Sequence, residues 1–295
     1  SALLGLVVIG VVLWKLKGEW TGAKGERFDF VGSIIYSLGL VALVYGFTLL
    51  PAMSGVWLIV GGVIGLSVFI WWEMRITSPV LDISLFRNSK TFTFSNLAAL
   101  INYSATFAVS FLLSFYLQYL KEGFIFNPQL AGFVLVAMPA TQAIFSPVAG
   151  RLSDKIEPRL IASTGMALTT LGLVIFIFLN KETHLGFIIG NLILMGLGFA
   201  LFSSPNTNAV MSSAPKTAYG VASATLATMR GVGMALSMGV AMLMLALYIG
   251  RIQITPENYL LFQEGFQESI KTSFIIFAIL CFGGIFASLA RGKVR

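Results

Sequence analysis

Gly150-Arg151-Leu152-Ser153-Asp154-Lys155-Ile156-Glu157-Pro158-Arg159 is a polar loop set between two stretches apolar enough to cross a bilayer. Five of its ten residues are charged, against 11% of the chain as a whole. Charge is therefore confined to particular places in a sequence that is otherwise 57% hydrophobic, with 25 Phe, 30 Gly and a mean hydropathy of +0.89. A soluble globule of this composition would leave most of its surface apolar, so lipid is the expected solvent. A hydrocarbon core of about 30 Å takes about 20 apolar helical residues per crossing, and only helices or closed barrels satisfy their own backbone there. The apolar runs have helix length and lack the ten-residue alternation of a barrel. The sequence thus predicts an all-α polytopic membrane protein.

Outward from the loop, nine spans are expected, at about 1–15, 29–50, 55–74, 92–119, 128–150, 159–180, 184–208, 219–250 and 269–290. The first reads as a helix cut short. Residue 1 is Ser, and neither a basic leader nor a small-residue cleavage site accompanies the apolar run, so it does not resemble a signal peptide. If successive connections alternate sides, fourteen of the 19 Lys and Arg residues fall on one side, including Arg151, Lys155, Arg159 and Arg291. Four fall on the other, Lys121, Lys181, Arg251 and Lys271, and Arg230 lies within a span. By the positive-inside rule the richer side is cytoplasmic, which puts the C-terminus and the 150–159 loop there. The net charge of +7 is then a matter of membrane topology and does not call for nucleic acid. The single Cys281 lies in an apolar run, which argues against a disulfide framework and for a packing role.

Polar seams divide the chain. Residues 17–28 form a Gly-containing linker after the partial helix of 1–16, residues 29–74 a two-helix hairpin, and residues 75–91 a second linker. Residues 92–290 form a block of six spans, and 291–295 a short tail.

Four segments together carry a family resemblance. Asp29-Phe30-Val31-Gly32 opens the second span, Pro79-Val80-Leu81-Asp82 leads to Leu85-Phe86-Arg87-Asn88, and Tyr116-Leu117-Gln118 precedes Gly123. With the 150–159 loop, these resemble the major facilitator superfamily, more narrowly its fourteen-span drug:proton antiporter branch. The resemblance implies a C-terminal six-helix bundle over 92–290, preceded by a two-helix insertion and by one partial helix of an N-terminal bundle. It also implies that about five earlier spans belong to the missing N-terminal bundle. In the loop, Gly150, Leu152, Asp154, Lys155 and Arg159 match the superfamily's cytoplasmic signature; Glu157 stands where the family usually has Gly, and Lys155 where Arg is commoner.

The resemblance makes Gly150, Asp154, Lys155 and Arg159 parts of a conformational switch at the cytoplasmic rim. Physically, Asp154 can accept backbone N–H groups at a helix start, while Lys155 and Arg159 can answer carboxylates or phosphates. A helix cap with basic anchors explains the same residues. Arg230 stands in a predicted helix of about 48 Å (about 1.5 Å per residue), longer than the hydrocarbon core, so it is expected near the cytoplasmic edge. Snorkelling to the interface is one reading. Pairing or gating toward the other bundle is the second, favoured by the family's Arg-x-x-Gly pattern at Arg230 and Gly233. Beyond it, Gly231, Ala235 and Gly239, with Gly233, Ser237 and Ala241 beside them, form stripes that let helices approach closely.

All 12 acidic residues fall in linkers, loops or helix ends. A proton carrier within the membrane needs a protonatable group, and the resemblance assigns it to the missing spans. What this chain can supply is one wall of a substrate cavity. On the fourth span Asn96, Tyr103, Thr106, Ser110 and Ser114 share one face; Met138, Thr141, Gln142 and Phe145 do so on the fifth; the seventh adds Asn191 and Phe202 before Ser203-Ser204-Pro205-Asn206 interrupts its apolar run. Amides, aromatic rings and Met side chains suit a lipophilic substrate of variable shape, cations included. Interhelical packing explains the same residues, and both readings stand. Pro139, Pro147 and Pro205 are expected to break or kink their helices, and Thr255-Pro256 to start a short extracellular helix.

The function expected is proton-coupled efflux of small lipophilic compounds by alternating access across the cell inner or plasma membrane, without a cofactor or metal. An uptake or metabolite carrier of the same superfamily, or a non-transporting half-protein, are the alternatives. Enzymatic activity is not expected, since no HExxH, nucleophile with a base, or phosphate-binding Gly loop occurs.

Overall fold

A computed structural model describes residues 10–11, 29–76, 81, 83–120, 128–250 and 259–292. All but residues 10–11 of the partial helix expected over 1–16, the linker over 17–28, Asp82, Gly123, the Thr255-Pro256 helix start and residues 293–295 lie outside the described residues. Among the described residues, eight helical stretches are long and apolar enough to cross a bilayer: Phe30–Thr48, Met53–Glu73, Lys90–Leu120, Pro128–Ser153, Pro158–Ile177, Leu185–Ser212, Lys216–Tyr248 and Gln263–Ala290. No strand occurs among the described residues. Large side chains such as Trp57, Phe133, Phe178 and Phe286 point outward, the arrangement expected when lipid is the solvent.

Helices α1 (Phe30–Thr48) and α2 (Met53–Glu73) form a tightly packed pair. Its opening Asp29-Phe30-Val31-Gly32 has a local explanation. Asp29 caps α1 by accepting the Gly32 N–H at 2.9 Å, and its other oxygen accepts the Trp72 indole N–H at 3.1 Å. A Cβ on Gly32 would lie 2.1 Å from Asp29 Oδ2 and 2.7 Å from Glu73 Oε1, so only glycine leaves room for the capping carboxylate.

After the short α3 (Ser84–Asn88), Ser89 caps α4 (Lys90–Thr106) by accepting the Phe92 N–H at 3.1 Å. The next span is jointed. Helix α4 gives way at Phe107 and Ala108 to α5 (Val109–Phe115) and then a π-helical turn over Tyr116–Leu120. A second joint, at Val136, separates α6 (Pro128–Leu135) from α7 (Ala137–Ser153). Pro139 lies three residues beyond it and lacks the N–H that would reach the Leu135 carbonyl.

The remaining spans are α8 (Pro158–Ile177), α9 (Leu185–Ser212), α10 (Tyr219–Tyr248) and α11 (Gln263–Ala290). Pro205 does not interrupt its span, contrary to expectation: α9 runs on to Ser212. Helices α4, α7 and α8 hold it in place, and the Thr207 hydroxyl donates to the Ser203 carbonyl at 2.8 Å, so the proline removes one backbone bond without ending the helix.

Packing proceeds from α7 to α9, α9 to α8, α8 to α11, α11 to α4, and α4 to α10, with α1 against the outer side of α10. Of the two small-residue stripes, Gly233, Ser237 and Ala241 are all buried; Gly233 touches α4 and Ser237 the joint that follows it. Gly239 instead meets Phe47 of α1. Cys281 is buried, its thiol 3.6 Å from the Met166 carbonyl.

Candidate substrate cavity and the junction behind it

A cavity of about 630 Å³ lies among α4, α5, α7, α9 and α10. Tyr103, Thr106 and Phe107 line it from α4 and its joint, Ser110 and Phe111 from α5, and Met138, Pro139 and Gln142 from α7. Phe199 enters from α9, Met234 and Met238 from α10.

The joint at 107–108 builds this wall. The Ala108 N–H, released from the helix ladder, donates to Ser237 Oγ at 2.9 Å, which pins the break to α10. Nearby, a Cβ on Gly233 would stand 2.6 Å from the Leu100 carbonyl oxygen, so glycine brings α10 onto the backbone of α4 and sets Met234 and Met238 at the cavity.

The Tyr103 ring is held between two partners. Phe199 meets it edge-on at 5.2 Å, and the Arg230 guanidinium lies 5.5 Å from its centroid. Arg230 Nη2 donates to Thr207 Oγ1 at 2.6 Å, while its Nε is buried without a hydrogen-bond partner among the described residues.

Of the expected cavity residues, Tyr103, Thr106, Ser110, Met138 and Gln142 meet in this wall. Asn96 does not: it is 1% exposed, nearer the start of α4, and its amide donates to the Phe92 carbonyl at 2.9 Å. Asn191 donates to the Gly172 carbonyl at 2.9 Å and ties α9 to α8. Phe145 is exposed on α7, outside the lining. Phe107, Phe111, Phe199, Met234 and Met238 were not anticipated; the i,i+4 spacing of the two Met beside Gly233 and Ser237 is the signal that could have found them.

The 150–159 loop is a tight corner. Helix α7 ends at Ser153, whose hydroxyl donates to the Gly150 carbonyl at 2.7 Å and accepts the Asn208 amide at 2.9 Å. Helix α8 starts at Pro158, which needs no donor at that position. Asp154 and Lys155 are exposed at the tip; Asp154 closes the end of α7 through its backbone N–H, and its carboxylate caps no helix start. Arg159 is half-buried, with its Nε buried and unpartnered among the described residues.

Behind the loop stands a residue expected in the short C-terminal tail. Arg291 is fully buried. Its Nε donates to the Ser288 carbonyl at 2.7 Å, Nη1 to Asn206 Oδ1 at 3.1 Å, and Nη2 to Ser288 Oγ. Asn206 in turn donates to the Ser95 carbonyl at 3.2 Å, Ser163 to Ser288 Oγ at 2.8 Å, and Thr91 to the Arg291 carbonyl at 2.9 Å. The ends of α4, α8, α9 and α11 thus share one cation. Burial pushes its pKa down to about 10, against a smaller opposing pull from Glu157.

Comparison with known proteins fits this geometry. The chain is 34% identical over 164 residues to the riboflavin transporter RibZ of Clostridioides difficile, covering 56% of this chain and 35% of that protein. It is 28% identical over 254 residues to the multidrug resistance protein Stp of Mycobacterium tuberculosis, covering 83% and 46%. With the tetracenomycin C resistance and export protein of Streptomyces glaucescens it shares 25% over 258 residues, covering 84% and 46%. The chain therefore spans half or less of the length of these relatives. A bacterial homologue of the human lysosomal transporter Spinster, in an inward-facing and unoccupied conformation, has the same fold: TM-score 0.55 at 14% identity, covering 88% of this chain and 64% of that one. Residues 96–294 match the family model of the Major Facilitator Superfamily. A bundle of jointed, apolar helices around a cavity, matched by that family over most of its length, makes this chain a member of the Major Facilitator Superfamily.

Proposed function

We propose that this chain is the C-terminal transport bundle, with its preceding two-helix insertion, of a fourteen-span drug:proton antiporter that exports small lipophilic compounds by alternating access. The observation that carries this reading is the cavity of about 630 Å³, walled by aromatic rings, three Met thioethers, one amide and two hydroxyls. Its size is that of small-molecule sites in general, and thioethers and rings accommodate varied apolar shapes. An N-terminal bundle would supply the facing wall and the proton-carrying carboxylate. The 150–159 loop, with Gly150, Asp154, Lys155, Arg159 and Arg230, would serve as the switch on the cytoplasmic side of the cell membrane. Two relatives named for drug resistance and export support efflux. The relative named as a riboflavin transporter supports a second reading, carriage of a metabolite.

The test is expression of the complete reading frame in a bacterial strain stripped of its own efflux pumps. Efflux predicts lower accumulation of lipophilic dyes, abolished by a protonophore, and weakened by Tyr103→Ala or Gln142→Ala. Accumulation that rises on expression, or is insensitive to both substitutions, would turn the reading toward uptake and toward a purely packing role for these residues.

A further inference from the structure

We infer that this wall of the cavity is selective by charge, favouring planar aromatic solutes that are neutral or anionic over cations, with Arg230 setting that preference from behind Tyr103. The inference rests on the reading of the cavity as the substrate site. No lining residue is acidic, so this wall offers no counter-charge to a cationic solute. Arg230 supplies the opposite sign. Its guanidinium faces the Tyr103 ring at 5.5 Å, and that ring is itself part of the wall. Its one hydrogen bond goes to a neutral hydroxyl, Thr207 Oγ1 at 2.6 Å, and its Nε is buried unmet among the described residues.

The sole ion pair among the described residues is Lys271 with Glu268, on another helix. An arginine half-withdrawn from water, with no counter-ion among the described residues, keeps a positive potential about itself, stronger in a medium of low dielectric. One ring's width away, that potential favours an anion or the electron-rich edge of a neutral heterocycle. Shape follows from the rest of the wall. Tyr103, Phe107, Phe111 and Phe199 offer ring faces and edges, and Met138 and Met234 offer polarisable sulfur, a seat for a flat aromatic body. Gln142, whose side-chain amide has no hydrogen bond among the described residues, remains to meet a polar edge. Arg230 acts through Tyr103 and is a positioning residue.

The experiment is equilibrium binding to the purified full-length protein, read by fluorescence anisotropy of two dyes that share a xanthene ring, anionic fluorescein and cationic rhodamine 123. Binding needs neither coupling nor a direction of transport. Fluorescein is expected to bind about tenfold or more tighter than rhodamine 123. Arg230→Gln should bring the ratio to within about threefold of unity, whereas Arg230→Lys, which keeps the charge, should preserve it. Gln142→Glu, on a different helix, should shift the ratio about tenfold toward rhodamine, which keeps a second handle if Arg230→Gln does not fold. Rhodamine binding as tightly as fluorescein in the wild type, or a ratio unmoved in folded Arg230→Gln protein, overturns the inference while leaving the cavity reading intact; where Arg230→Gln does not fold, a ratio unmoved by Gln142→Glu overturns it. Binding of neither dye to folded protein overturns both.

Discussion

Replacing Asn206 by Leu should destabilise the bundle more than replacing the arginine it serves. Leu keeps the branched side-chain skeleton of Asn, with bulkier methyl groups, but removes two bonds, the acceptor for Arg291 Nη1 at 3.1 Å and the donor to the Ser95 carbonyl at 3.2 Å. A hydrogen bond to a buried charge contributes about 1.5–3 kcal/mol. A neutral bond between helices in a membrane bundle averages about 0.6 kcal/mol. The sum is about 2–3.5 kcal/mol, because the Arg291 cation stays fully buried with one acceptor fewer. Arg291→Met removes the cation together with its desolvation cost, leaves the Ser288 carbonyl, Ser288 Oγ and Asn206 Oδ1 each short of one donor, and should cost about 1 kcal/mol. The double variant should therefore be more stable than Asn206→Leu alone, the sign that separates a charge left stranded from a packing defect. Reversible unfolding in detergent, followed by near-UV circular dichroism, measures all three. The reasoning fails if Asn206→Leu lies within about 0.5 kcal/mol of wild type. It fails equally if the two losses simply add.

Two further outcomes follow from single positions. Gly233→Val should lower stability by about 1–3 kcal/mol and depress ligand binding, because its Cβ would stand 2.6 Å from the Leu100 carbonyl. Gly231→Ala, with nothing within 4 Å of a new Cβ, should be neutral or stabilising by up to about 1 kcal/mol in a thermal-shift comparison. The pH dependence of the Arg291 site has a defined sign. Burial lowers its folded pKa to about 10, well below the ordinary arginine range, so the unfolded chain holds the proton more tightly and the penalty is in force below about pH 10. The stability of wild type relative to Arg291→Met should therefore rise as pH increases above about 10, and a gap that narrows there would contradict the burial.

The spans were legible because a bilayer imposes one length on every crossing and a polar corner between crossings. The jointed fourth span was not: Phe107 and Ala108 carry no Pro or Gly, and the break is stabilised by Ser237, 129 residues away. Periodicity found Tyr103, Thr106, Met138 and Gln142 because it reports which way a side chain points. It does not report depth, and it cannot tell an amide facing a cavity from one that satisfies itself on a nearby backbone, as Asn96 does at Phe92 and Asn191 at Gly172. Arg291 was misread for a related reason. A basic residue after the last apolar run ordinarily snorkels to the interface. Nothing near it announces that Asn206, 85 residues earlier, will draw it inside.

The stretch Ser203-Ser204-Pro205-Asn206-Thr207-Asn208, expected to interrupt a helix, instead distributes its polar groups among neighbours. A Cβ on Gly150 would meet Ser204 Oγ at 3.0 Å, Asn206 holds Arg291 at the end of α11, Thr207 holds Arg230 on α10, and Asn208 holds Ser153 at the head of the loop. Three consecutive side chains on one turn of α9 thus reach three different elements. One of them, through Arg230 and Tyr103, ends at the cavity wall. Any rotation of α9 by a fraction of a turn must exchange all three bonds together, since packed helices move between discrete arrangements and do not deform continuously. The corner at 150–159 and the cavity floor therefore share one rigid support. Loosening the loop while leaving the Tyr103 side of the cavity undisturbed would require α9 to break, and the helix that continues through Pro205 is what prevents it.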